Sequence, residues 1–112
     1  LSNGNVSLLT HMAKNGGLPW DAILSAELSG HYKPDPEAYL KAADLLSLKP
    51  EQVMMVAAHP SDLRAAARTG LKTAYVIRPL ERGPGRPVNR NPDGEFDYTA
   101  ENFNDLARQL GA

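Results

Sequence analysis

Apolar residues recur along the chain in two patterns, one with helical spacing and one as short continuous runs. Val6, Leu9 and Met12 or Ala13 keep the helical spacing, with Ser2 or Asn5 as the cap and Gly16-Gly17 as the stop. Ala22 to Ser25 is a short apolar segment and predicts a strand. The stretch ELSGHYKPDP predicts a loop, with Asp35 as an N-cap before Pro36 at the first helical position. A helix is expected from Pro36 to about Leu46, burying Ala38, Tyr39 or Leu40, Ala42, Ala43 and Leu46.

After a connection at Leu48-Lys49-Pro50, Val53 to Ala57 is a continuous apolar run, as in a strand covered on both faces. Ser61 to Arg68 predicts a helix that Gly70 ends, and Thr73 to Ile77 predicts another buried strand. Arg78 to Glu95 is rich in proline and glycine and predicts a long, mobile loop. Phe96 to Tyr98 predicts a last short strand. Ala100 to Leu110 predicts a closing helix with Phe103, Leu106 and Leu110 on its apolar side. Helices alternating with strands mean an α/β fold, a Rossmann-like parallel sheet flanked by helices.

Composition narrows the classes. The chain has 112 residues, 42% hydrophobic and 22% charged, which suits one small globular domain. Twelve basic residues against thirteen acidic ones give a net charge of −1. That balance offers no electrostatic reason to expect nucleic acid or a membrane as partner. With no cysteine there is neither a disulfide framework nor a thiolate metal site, which fits a cytoplasmic protein. No apolar run is long enough to span a bilayer, and no signal-peptide pattern is present. The opening LSNGN looks like the end of a strand turning into a helix, so the chain is expected to be the C-terminal part of a longer protein.

In open parallel sheets, ligands sit beyond the carboxyl ends of the strands. Ser2 and Asn3, Lys33, and His59 with Asp62 fall where that rule would place a site. Each has an ordinary reading as well. Ser2-Asn3 is a helix-entry turn, Lys33 a surface lysine, Asp62 a first-turn acid facing the helix dipole, and Tyr39 a half-buried aromatic. His11 and His31 read as a helix-surface and a loop residue, and no pair of histidines has metal-ligand spacing.

Order and spacing add a resemblance. Ser-Asn-Gly after a strand, then Lys-Pro-Asp-Pro, then a hydrophobic strand ending near an Asp resembles the haloacid dehalogenase superfamily. LSNGN, YKPDPEAY and VMMVAAHPSDLRAAARTGL are similar to the type II 2-haloacid dehalogenases, from the superfamily's second motif to its C-terminus. The resemblance implies a haloacid-dehalogenase-like core and a role for each candidate. Ser2, with Asn3 and nearby amides, would hold the substrate carboxylate at a helix N-terminus. Lys33 would neutralise a nucleophilic carboxylate and keep it ionised. Tyr39 would line the pocket. Asp62 would pair with Lys33 and help position or activate the hydrolytic water.

The resemblance also bears on metal. Phosphatases of the superfamily usually carry Gly-Asp at the end of this strand and a second Asp four residues after the first, and these acids hold Mg²⁺. Here Ala57 and Ala58 occupy the Gly-Asp positions and Asp62 is the acid that remains. A methyl group cannot bind the cation that phosphoryl transfer needs, whereas displacing halide from carbon does not need it. No metal and no cofactor are therefore expected.

Dehalogenases of this type have Ser at the position of Ala57 and Asn at that of His59. His59 either donates to the leaving halide or to the substrate carboxylate, or is a loop residue without a role. A His here resembles members that act on fluoroacetate. The nucleophilic Asp, a halide-contacting arginine and the helical cap would all lie upstream, and Arg64 and Arg68 are poor substitutes for that arginine. The implied reaction is hydrolysis of short 2-haloacids, with a small-molecule haloacid as ligand and a homodimer as possible assembly. A phosphatase and a catalytically incomplete fragment are the alternatives. The sheet is expected to expose an apolar edge where the nucleophile's strand belongs.

Overall fold

The computed structural model describes residues 1–78 and 94–111. They form two compact units, Leu1–Lys49 and Pro50–Ala112. Most of the long loop expected over residues 78–95 lies outside the described residues.

In the first unit, helix α1 covers Val6–Gly16. Asn5 caps it, Oδ1 accepting from Leu8 N at 2.8 Å. Gly17 ends it with φ 63°, a left-handed conformation that favours glycine, and Leu18 N donates back to Ala13 O. Ala13, not Met12, is the residue buried on this helix. The strand expected over 22–25 is reduced to one parallel bridge, Ser2 with Ser25. Ser2 N donates to Leu24 O at 3.1 Å and Ala26 N to Ser2 O at 3.0 Å.

Part of the predicted loop is a short helix, α2, over Ala26–Ser29. One turn is too short to show a period, but its ends obey the capping rules. Ser25 Oγ accepts from Glu27 N, and Gly30 closes it at φ 73°. Helix α3, Pro36–Leu45, begins at the expected Asp35-Pro36. Asp35 stands at the N-cap position, yet its side chain makes no cap hydrogen bond and lies 3.5 Å from His31 Nδ1. Ala38, Tyr39, Ala42 and Ala43 are buried, so Tyr39 rather than Leu40 faces inward. Leu46, expected in the core, is at the C-cap and exposed because the helix stops at Leu45.

In the second unit, three parallel strands lie in the order β1-β2-β3, with β1 Met54–Ala57, β2 Lys72–Val76 and β3 Tyr98–Ala100. A 3-10 turn over Pro50–Gln52 leads into β1. Helix α4, Pro60–Arg68, crosses from β1 to β2, giving a βαβ unit. Helix α5, Phe103–Gln109, follows β3, capped by Asn102, which accepts from Asp105 N at 2.8 Å.

Strand β2 is central, and Thr73 to Val76 are all buried, so both sheet faces are covered. On one face Ala74 and Val76 pack with Ala100 and Leu106 of α5. Alternation sends Thr73 and Tyr75 to the other face. There the Tyr75 ring meets Phe96 edge-on at 5.9 Å, and α4 contributes fully buried Leu63. In a protein containing this chain, Leu63→Ala is expected to cost about 2–5 kcal/mol, read as a shift in denaturation midpoint. A cost below about 1 kcal/mol would contradict its place in the core.

Four expectations shift here. Strand β1 has β2 as its one neighbour among the described residues, so it is an edge, and Val56 is exposed rather than covered. That agrees with the expected exposed apolar edge. Strand β3 starts two residues later than Phe96. Phe96 is spent on the Tyr75 contact, and the Asp97 carboxylate accepts from Thr73 N at 2.8 Å. Ala100 belongs to β3 rather than to the closing helix. Of the three residues expected on that helix's apolar side, Leu106 is buried while Phe103 and Leu110, at the two ends, are exposed.

Candidate active site

The candidate residues fall in both units. In the first, the chain enters α1 through the turn Ser2-Asn3-Gly4-Asn5. Ser2 Oγ accepts from Gly4 N at 3.1 Å, tightening the turn. Buried Ser25 donates from Oγ to Gly4 O at 2.6 Å while the same oxygen caps α2. The turn is thus tied to the segment beside it through both backbone and side chain.

Asn3 reaches across thirty residues to Lys33. Its Nδ2 donates to Lys33 O at 3.2 Å, and its Oδ1 accepts from Lys33 N at 2.6 Å. Ser2, Asn3 and Lys33 are therefore brought together in one unit. Asn3 is exposed, while Ser2 and Lys33 are half-buried. Tyr39 is buried in the first full turn of α3, six residues after Lys33.

Sequence reasoning missed two residues that hold this turn. Ser25 is one, and its signal was present as a Ser before a helical turn ending in Gly. The other is Glu27, whose carboxylate accepts from Val6 N at the start of α1. A cap supplied from 21 residues away leaves no local pattern. It does change the anion site expected here, because the amides of Val6 and Leu8 are already taken by Glu27 and Asn5. Among the described residues, the main-chain amides of Asn3 and Asn5 donate to no protein acceptor, so they are the turn's remaining main-chain donors for an anion.

In the second unit, β1 ends at Ala57 and its chain passes through Ala58 and His59 into α4. His59 is exposed at the N-cap position with no side-chain cap bond, and Pro60 occupies the first helical position. Asp62 is half-buried in the first turn of α4, and its amide donates to His59 O at 3.1 Å. His59 and Asp62 thus share the carboxyl end of β1, where an α/β sheet keeps its ligands.

Arg64, one turn on, is committed elsewhere. Its Nη2 donates to Glu95 Oε2 at 3.1 Å and its Nε to Oε1, a bidentate pair. The hydrogen bond foremost, and then the charge, raise the Arg64 pKa. The Arg64 hydrogen bond likewise holds the Glu95 carboxyl below the usual carboxylate range. This pair accords with reading Arg64 as a poor halide ligand.

His31, read from sequence as a bare loop residue, faces acids. Its Nδ1 lies 3.5 Å from Asp35 Oδ2 and 3.9 Å from Glu37 Oε2. One ligand atom from each of these three residues falls within 4.8 Å of the others. All three are exposed, an arrangement that suits an imidazole paired with surface carboxylates. Neither Asp62 nor His59 belongs to it. No helix among the described residues is long and apolar enough to cross a membrane.

This architecture has close counterparts. The L-2-haloacid dehalogenase PA0810 superposes with a TM-score of 0.93 at 52% identity, over 98% of this chain and 47% of that one. The defluorinating L-2-haloacid dehalogenase Rha0230 gives 0.93 at 51% identity, over 99% and 45%. Enolase-phosphatase E1 of Persephonella marina is 43% identical over 47 residues, 42% of this chain and 21% of that protein. The chain thus spans about half the length of the two dehalogenases, and a fifth of the phosphatase. Residues 1–70 match the haloacid dehalogenase-like hydrolase family over more than half of the chain, and the chain belongs to that family.

Proposed function

We propose that the protein containing this chain hydrolyses short L-2-haloacids to 2-hydroxy acids through an aspartyl-ester intermediate, without a metal ion. The observation that carries the reading is the end of β1, where Ala57 and Ala58 precede the acid Asp62. The likeness to two L-2-haloacid dehalogenases at about half identity supports it.

The chemistry runs in two displacements. A carboxylate outside these residues attacks the carbon bearing halogen from behind, and the halide leaves with the bonding pair. Water then attacks the carbonyl of the resulting ester, giving back the carboxylate and releasing the hydroxy acid. The first step inverts the carbon and the second does not touch it, so an L-haloacid gives a D-hydroxy acid. Ser2 and the amides of Asn3 and Asn5 bind the substrate carboxylate, and Tyr39 lines the pocket. Lys33 keeps the nucleophile ionised, Asp62 positions the attacking water, and His59 donates to the halide or to the substrate carboxylate.

Full-length protein treated with EDTA is expected to release halide from 2-chloropropionate and chloroacetate as fast as untreated protein. A requirement for Mg²⁺ would overturn the reading. The enolase-phosphatase likeness favours a phosphatase instead. Ala58 speaks against it, since a methyl replaces the oxygen ligand that Mg²⁺ needs. Magnesium-dependent hydrolysis of a phosphate ester, with no halide release, is the outcome that would favour the phosphatase. The reading also takes residues 1–112 as the C-terminal part of the core, with the nucleophile's strand and cap upstream. It takes the protein as cytoplasmic and allows a homodimer, whose existence sedimentation of the full-length protein tests.

A further inference from the structure

We propose that Asn3 is a positioning residue for Lys33, acting through the main chain of residue 33; the proposal rests on Lys33 serving the reaction described above. Lysine carries its charge on a flexible four-carbon stem, so its ammonium is aimed only as well as its root is held. Here the root is held from both sides. The Asn3 amide donates to Lys33 O at 3.2 Å and accepts from Lys33 N at 2.6 Å, as a neighbouring strand would do. With both polar groups of residue 33 engaged by one side chain, the direction of its Cα–Cβ bond is set.

Asn3 is itself anchored on each flank. Ser2 is bridged to Leu24 and Ala26 through its backbone, and Gly4 is bound by Ser2 Oγ and by buried Ser25 Oγ. A chain of contacts thus runs from Ser25 through the turn to Asn3 and on to Lys33. Only an amide fits the last link, because one end must donate and the other accept. An aspartate keeps the acceptor for Lys33 N but turns an oxygen toward Lys33 O. Asn3 is exposed, so removing its side chain opens no cavity, which separates its role from a purely structural one.

The consequence for the reaction has a sign. An ammonium near the nucleophilic carboxylate lowers that carboxylate's pKa. If the ammonium is less well aimed, the pKa rises and activity is lost first at acid pH.

The test uses Asn3→Ala and Asn3→Asp in the full-length protein. Hydrogen exchange of the Lys33 amide is expected to speed up about tenfold or more in Asn3→Ala, and less in Asn3→Asp, which keeps that acceptor. In Asn3→Ala, kcat for 2-chloropropionate should fall about tenfold or more, with KM little changed. The acid limb of its kcat profile should move to higher pH while Tm stays near that of the parent. Unaltered exchange would overturn the lock. Faster exchange with an unmoved acid limb, or a rise in KM alone, would overturn its role in the reaction. Should the parent protein release no halide, the reaction assigned to Lys33 fails and this role with it, whereas the exchange measurement still decides the lock.

Discussion

Replacing Lys33 by alanine in the full-length protein is expected to lower kcat/KM for L-2-chloropropionate by about a thousandfold. The nucleophile must be a carboxylate, and a carboxylate in a site closed to water is costly unless an opposite charge stands near it. A fixed ammonium supplies that charge in the ground state and still does so when the ester carbonyl becomes an oxyanion. Its loss therefore weakens both displacements. The drop should be steepest below neutral pH, where an unsupported carboxylate takes up a proton. Lys33→Arg should recover little, because the guanidinium is a planar fork rather than a compact point charge. Initial-rate halide release across pH measures this. A loss smaller than about tenfold would remove Lys33 from the reaction.

Asp62→Asn is expected to separate the two steps. The first displacement needs no proton transfer, so halide should still leave once per site. The second needs water held and deprotonated as it attacks, and an amide is a poor base. The variant should give a burst of halide, with steady turnover lowered about a hundredfold or more. The ester should accumulate on the protein as a mass increase equal to the substrate less hydrogen halide, the carboxyalkyl group now carried on the nucleophile's oxygen. Asp62 is suited to this work by position. It is half-buried in the first turn of α4, close to the end of β1. Equal loss of burst and turnover would place Asp62 in the first step instead and contradict its assignment.

The alternation of helical spacing with short apolar runs was enough to read the parallel sheet, because β1 and the stretch Ala74 to Val76 of β2 are apolar whichever face they meet. Asn5, Gly17, Pro36 and Asn102 mark helix ends by rules that act within a few residues, although α5 starts later than expected. What was not legible depends on distant parts of the chain. The spacing of Met12 and Ala13 cannot say which of them meets a neighbour, and the end of α3 at Leu45 decides the exposure of Leu46. The start of β3 is set by Tyr75 and Thr73, more than twenty residues away in sequence.

The same division holds at the site. Ser2, Lys33 and Asp62 were proposed from the order of their motifs, which survives without any knowledge of contacts. The Asn3–Lys33 amide pair and the Glu27 cap on α1 were not, since each joins residues at least twenty apart by side chains that carry no periodic signature. Asn3 was read as a substrate ligand; its side chain binds Lys33 through Oδ1 and one hydrogen of Nδ2, which leaves the second Nδ2 hydrogen and the main-chain amide as donors for an anion.

The central claim is that halide is displaced by a carboxylate of the protein and not by water, with no metal at the end of β1. A single turnover in ¹⁸O-labelled water, with full-length protein in excess over L-2-chloropropionate and EDTA present, tests both halves together. The hydroxyl oxygen of the lactate formed should come from the protein and carry no label, while the label enters the protein carboxylate. Labelled hydroxyl in that first turnover, or no lactate until Mg²⁺ is restored, would contradict the account.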